Sequence, residues 1–174
     1  QGLLTDYQVA IVGVDARSYE SMIIKRAQVK TDTDIQSDAK SLANHIGVAK
    51  AIRKYDLKRV ITFHARVNSA SDFASMLPQV VDWMPESSRP SGDITTGYVS
   101  GAMPTGERNK NLQALGNIAE DQRHILSNAR CLSEGIDVPA LDGIAFIDPR
   151  NSEIDIIQAV GRAIRLADGK ETGT

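Results

Sequence analysis

The sequence predicts an α/β three-layer sandwich, a mostly parallel β-sheet with helices on both faces, from three observations. Short apolar runs without polar alternation recur at residues 7–14, 59–63, 95–99, 123–127 and 141–147. That is the pattern of strands covered on both faces. Between several of them lie stretches with apolar residues every three or four positions, the spacing of an amphipathic helix. Strand and helix alternate, so right-handed crossovers build an open sheet wrapped by helices.

Taken in order, residues 7–14 are apolar and β-branched between Asp6 and Asp15, which predicts a buried strand. Residues 31–38 form a polar loop ending in helix-capping types, and 39–55 read as a helix with Leu42, Ile46, Ala49 and Ile52 on one face. A strand at 59–63 and a helix over 69–76 follow. Residues 85–93, with two prolines, three serines and a glycine, read as a loop before the strand at 95–99. Pro104 suits the first turn of a helix running to 115. Strands at 123–127 and 141–147 and a helix over 152–166 complete the series, with no internal repeat.

The 174 residues fit one domain, 1–174, with 41% apolar and 24% charged residues, ordinary for a soluble protein. Nothing in the sequence reads as a membrane span or a signal peptide. The single cysteine, Cys131, excludes an intrachain disulfide and points to a reducing, cytoplasmic setting. A net charge of −2 supplies no general attraction for a polyanion, so any phosphate contact must come from local features. The start at Gln1 and the polar tail 168–174 suggest a piece of a longer polypeptide.

In an open parallel sheet, ligands sit beyond the carboxyl ends of the strands. The loops at 64–68, 100–104, 128–139 and 148–152 are therefore the candidate site. On the final helix, at about 100° per residue, Ile154, Ile157, Val160 and Ile164 gather on one side. Gln158, Arg162 and Arg165 gather on another, roughly 145° away. Two arginines one turn apart favour an anion between them, and planar guanidinium groups match phosphate oxygens. From the helix alone, a solvated polar face is the competing reading. In the loop before it, Gly135 permits unusual backbone geometry and Pro139 stops a helix. Ser127 and Asn128 at a strand end can bond a phosphate or sugar, and Asp137 can accept from a ribose hydroxyl. His45 and His124 read as packed side chains, Cys131 as a small filler, and Trp83 as a core or domain contact.

Glu134-Gly135-Ile-Asp137-Val-Pro139, followed by Gln158-Ala-Val-Gly-Arg162-Ala-Ile-Arg165, resembles motifs V and VI of superfamily-two helicases and translocases. Val60-Ile-Thr-Phe-His64 is similar to motif IV, and Val99-Ser100-Gly101 to the motif IVa region, so the resemblance spans residues 58–166. It implies a RecA-like fold and the C-terminal lobe of a two-lobed ATPase. Residues 1–35 would then be the linker and first strand after a missing N-terminal ATP-binding lobe. That lobe would hold most of the ATP and Mg²⁺, because this chain has neither a G-x-x-x-x-G-K-[ST] loop nor a D-E-x-H or D-E-x-D tetrad. The resemblance casts Arg162 and Arg165 as arginine fingers, with Gln158 placing the triphosphate or attacking water. Gly135 and Asp137 would lie near the ribose, and Ala65, Arg66, Ser100, Gly101, Ser127 and Asn128 along the nucleic-acid backbone.

Glu134 before the motif V glycine, and Gln158 opening motif VI, depart from the RNA-directed DEAD-box pattern. They are closer to the DNA-directed branch that includes restriction-enzyme motor subunits. DNA is the expected partner, together with the N-terminal lobe. The alternatives are an RNA helicase lobe and a non-catalytic helicase-like module for DNA docking or assembly. A stand-alone nucleotide-binding domain is disfavoured, since no glycine-rich phosphate loop follows the first strand.

Overall fold

The computed structural model describes residues 6–7, 9–14, 35–129, 131, 141–148 and 172–173. Among the described residues, strand β1, Asp6–Tyr7, pairs with β6, Thr172–Gly173, in a parallel two-stranded ladder. The main sheet comprises β2 (Arg59–His64), β3 (Asp93–Ser100), β4 (Gln122–Ala129) and β5 (Gly143–Phe146) in the order β3-β4-β2-β5. Every pair is parallel, as continuous apolar strands joined by helices require.

Among the described residues, α1 (Ile35–Lys54) leads into β2, and α2 (Val67–Trp83) and α3 (Thr105–Gly116) are the crossovers from β2 to β3 and from β3 to β4. Successive strand residues face opposite sides, so each strand feeds two cores. On one side, Val60 and Ile125 pack with Leu42, Ile46, Ala49 and Ile52 of α1 and Phe73, Leu77 and Val80 of α2. On the other, Ile61, Phe63, Val99 and Leu126 pack with Leu112 and Leu115 of α3. The three-layer sandwich is therefore present, with helices on both faces. No helix among the described residues is long and apolar enough to cross a membrane.

Three element expectations need correction. Residues 9–14 are not a buried strand: they join no ladder, and Val9 and Ile11 are 78% and 96% exposed. Apolar character favours burial, but a strand also needs a neighbour for its amides. Here the contact is side chain on helix, with Val14 resting over Gly47 of α1. Helix α1 begins at Ile35, inside the expected polar loop. Helix α2 runs to Trp83 rather than stopping at Met76, passing straight through Pro78. Proline has no N–H, so the carbonyl of Ala74 one turn back loses its helical donor. The Thr96 hydroxyl on β3 supplies one instead, at 2.6 Å. The expected helix at 152–166 lies outside the described residues.

The amino edge of the sheet is held by Arg123, only 5% exposed. Its guanidinium donates to the carbonyls of Leu57 (2.7 Å) and Ser91, the Ser91 hydroxyl (2.8 Å) and the Asp56 carboxylate. The hydrogen bond from Arg123 and then its charge hold the Asp56 carboxyl below its usual range. This clasp fixes two left-handed turn residues, Asp56 (φ 51°) and Gly92 (φ 79°). At Gly92 a Cβ would sit 2.0 Å from the Asp121 carbonyl oxygen, so only glycine fits.

Candidate functional site

Register sets the site. His64, Ala129 and Ser100 lie in one row across β2, β4 and β3. Phe63 pairs with Phe146, so β5 ends at nearly the same level. The loops expected to carry function therefore leave the sheet side by side at its carboxyl edge. Parallel strands also bring the amino ends of α2 and α3 there. The residues preceding them, Arg66 and Pro104, make no side-chain capping hydrogen bond. The N-cap side chains thus leave the first amides of both helices without a cap of their own, and the helix dipole favours an anion there.

The six expected backbone-contact residues divide by depth. Ala65, Arg66 and Gly101 are exposed at this edge. Ser100, Ser127 and Asn128 are 3%, 0% and 2% exposed, so their side chains serve the interior. Thr62 donates to the Ser127 hydroxyl at 3.0 Å. Its single proton thus committed, Thr62 accepts from His64 Nε2 at 2.9 Å. The Asn128 carboxamide oxygen accepts from the amide and thiol of Cys131, both at 3.2 Å, and so shapes the turn leaving β4. The carbonyl of Ser100 accepts from the Met103 amide at 3.2 Å, closing the turn before α3. These three residues support the loops from below.

Gly135, Asp137, Gln158, Arg162 and Arg165 lie outside the described residues. Among the described residues, no group of three or more His, Cys, Asp or Glu side chains could hold a metal ion. The packed readings of the histidines agree with the structure. His45 stacks on Phe73 at 4.1 Å, and His124 is 5% exposed. Burial holds the His124 pKa below its usual value. Cys131 packs against the core cluster that contains Leu126 and Leu141; burial pushes its thiol pKa up, partly offset by the charge of Arg108. Trp83 is 40% exposed at the end of α2.

Asp148 opens the candidate loop 148–152, but the sequence assigned it no role of its own. Its carboxylate accepts from the Ala65 amide at 2.8 Å, linking the loop after β5 to the loop after β2. An Asp-Pro pair directly after an apolar strand was the available signal.

A sandwich whose described sheet strands are all parallel, and whose carboxyl edge gathers its loops and two helix amino ends, defines the class: a RecA-like α/β domain. The chain belongs to the helicase conserved C-terminal domain family, whose model matches residues 41–167. It is a C-terminal RecA-like domain of the superfamily-two type.

Among solved structures, it is similar to the ATP-dependent Type ISP restriction-modification enzyme LlaBIII bound to DNA. The match has 27% identity and a TM-score of 0.81, and covers 98% of this chain and 12% of that one. Domain 2 of the DEAD-box helicase Mss116p, bound to an RNA duplex, matches at 19% identity with a TM-score of 0.54. That match covers 77% of this chain and 47% of that one, and shows the fold. The chain thus spans a minor part of the restriction enzyme and under half of the DEAD-box domain chain. No curated protein sequence matches it significantly.

Proposed function

We propose that this chain is the C-terminal lobe of an ATP-dependent helicase or translocase that moves on DNA in the cytoplasm. The carrying observation is the row His64–Ala129–Ser100, which aligns exposed Ala65, Arg66 and Gly101 with the open amino ends of α2 and α3. Backbone amides and one guanidinium can follow a phosphate backbone even in a domain of net charge −2. Ser100, Ser127 and Asn128 act beneath that surface by fixing the loops. The greater likeness to a DNA-bound restriction motor than to an RNA-bound domain supports DNA over RNA.

ATP and Mg²⁺ are held mainly by an N-terminal lobe of the same polypeptide. By the family resemblance, Arg162 and Arg165 would meet the triphosphate, Gln158 would place it or the attacking water, and Gly135 and Asp137 would serve the ribose. The bound nucleotide supplies the phosphoryl-transfer chemistry, and the arginines stabilise charge as it develops.

The test is Arg165→Ala in the complete polypeptide. DNA-stimulated hydrolysis falls on the order of 10³-fold while ATP binding changes far less. Unchanged turnover refutes the arginine assignment. The isolated chain shows no DNA-stimulated hydrolysis, and turnover by the pure chain would contradict the two-lobe reading. Tight DNA binding by a complete polypeptide that never hydrolyses ATP would instead establish the non-catalytic docking module.

A further inference from the structure

Strand β5 is flanked by two aspartates that grip β2 at opposite ends. Asp142 accepts from the amides of Lys58 (3.1 Å) and Arg59 (2.7 Å), where β2 begins. Asp148 accepts from the amide of Ala65, just past the end of β2, at 2.8 Å. The two contacts differ in kind. The first sits beside a ladder rung, Asp142 N–H to the Arg59 carbonyl at 2.9 Å, and so secures register. The second lies beyond the bond from the Ile147 amide to the Phe63 carbonyl at 3.1 Å. Register is already set there, and Ala65 is exposed. The contact instead fixes the direction in which the chain turns from β2 into α2.

We propose that Asp148 is a positioning residue for nucleic-acid backbone contact: it holds the Ala65–Arg66 turn so that Arg66 and the first amides of α2 meet the same phosphate. This rests on the functional reading above. Electrostatics alone would disfavour an acid here, because a carboxylate beside an open helix end repels a phosphate and competes for its amides. Its contribution is therefore geometric. Asp148 takes the Ala65 amide, which points across to β5. A neutral acceptor of the same shape would do as well.

The experiment uses the complete polypeptide and a fluorescein-labelled DNA duplex read by anisotropy. Asp148→Ala weakens DNA binding about five-fold, the effect of losing one partly exposed charge-assisted hydrogen bond, while the KM for ATP stays within about two-fold. Asp148→Asn keeps an acceptor in place and binds within about two-fold of wild type. In DNA-free protein, hydrogen exchange of the Ala65 amide quickens in Asp148→Ala and not in Asp148→Asn. Arg66→Ala costs less in the Asp148→Ala background than alone, because the two act through one turn.

Wild-type affinity in Asp148→Ala overturns the proposal. So does equal weakening in Asp148→Asn, which would assign the effect to charge. If Asp148→Ala does not fold, Asp148→Ser, too short to reach the amide, decides by the same two affinities. A wild-type polypeptide that does not bind DNA removes the functional reading itself. Normal wild-type binding with an unaffected Asp148→Ala removes only the role of Asp148.

Discussion

Replacing Thr96 by valine tests how α2 passes through Pro78. The substitution nearly preserves shape and removes the only hydroxyl donating to the Ala74 carbonyl, the acceptor that Pro78 leaves without an amide. A buried carbonyl stripped of its donor costs about 1–3 kcal/mol. Thr96 is half-buried, so water recovers part of that, and about 1–2 kcal/mol is expected. For a domain of this size that lowers Tm by about 2–8 °C. The decisive measurement is a double-mutant cycle in urea. Pro78→Ala restores the amide, so Ala74 has a helical donor and the hydroxyl becomes redundant. In that background Thr96→Val costs under about 0.5 kcal/mol, leaving a coupling energy of about 1 kcal/mol. Equal costs in both backgrounds would refute the argument, because the hydroxyl would then stabilise the fold by some route unrelated to the proline.

Further outcomes follow from the amino edge and the interior. Arg123→Met leaves the Leu57 and Ser91 carbonyls without their donor and destabilises by about 3 kcal/mol in urea unfolding. Asp56→Asn costs far less, because the Asp56 side chain is 76% exposed. Gly92→Ala combines a left-handed φ of 79° with a Cβ set against a backbone carbonyl. It destabilises by about 2 kcal/mol or more, read as a lowered urea midpoint. For His124, burial disfavours the charged ring, so as pH falls below 6.5 the unfolded chain takes up a proton that the folded chain resists. Stability from this site is full above that pH and declines below it. His124→Leu flattens the decline in a pH series of urea midpoints. Cys131, with its thiol pKa raised by burial, alkylates more slowly in folded than in urea-unfolded protein at pH 8, as a mass-spectrometric time course would show.

Strand and helix identity, and the order that makes the sheet parallel, were legible because they follow from local patterns. Leu42, Ile46, Ala49 and Ile52 are spaced for one helix face, and all four are buried. Pro104 marks the start of α3 for a reason internal to proline. The motif residues located the carboxyl-edge loops by the same one-dimensional logic. Other features depend on partners distant along the chain. Met76 looked like a helix end because Thr96, which rescues the helix at Pro78, lies on a strand reached only after folding. Residues 9–14 looked like a buried strand because apolar composition reports the wish for burial and says nothing of a pairing neighbour. Ser127 and Asn128 carry groups able to bond phosphate, yet the sheet turns those groups inward to Thr62 and Cys131. Asp148 shows the converse. Its acceptor role exists because parallel pairing of β2 with β5 sets Ala65 beside it, 83 residues away in sequence. Local sequence thus determined which elements form and what family they belong to. Tertiary structure decided which polar side chains stay exposed at the carboxyl edge and which turn inward, since that choice is made by long-range hydrogen-bond partners.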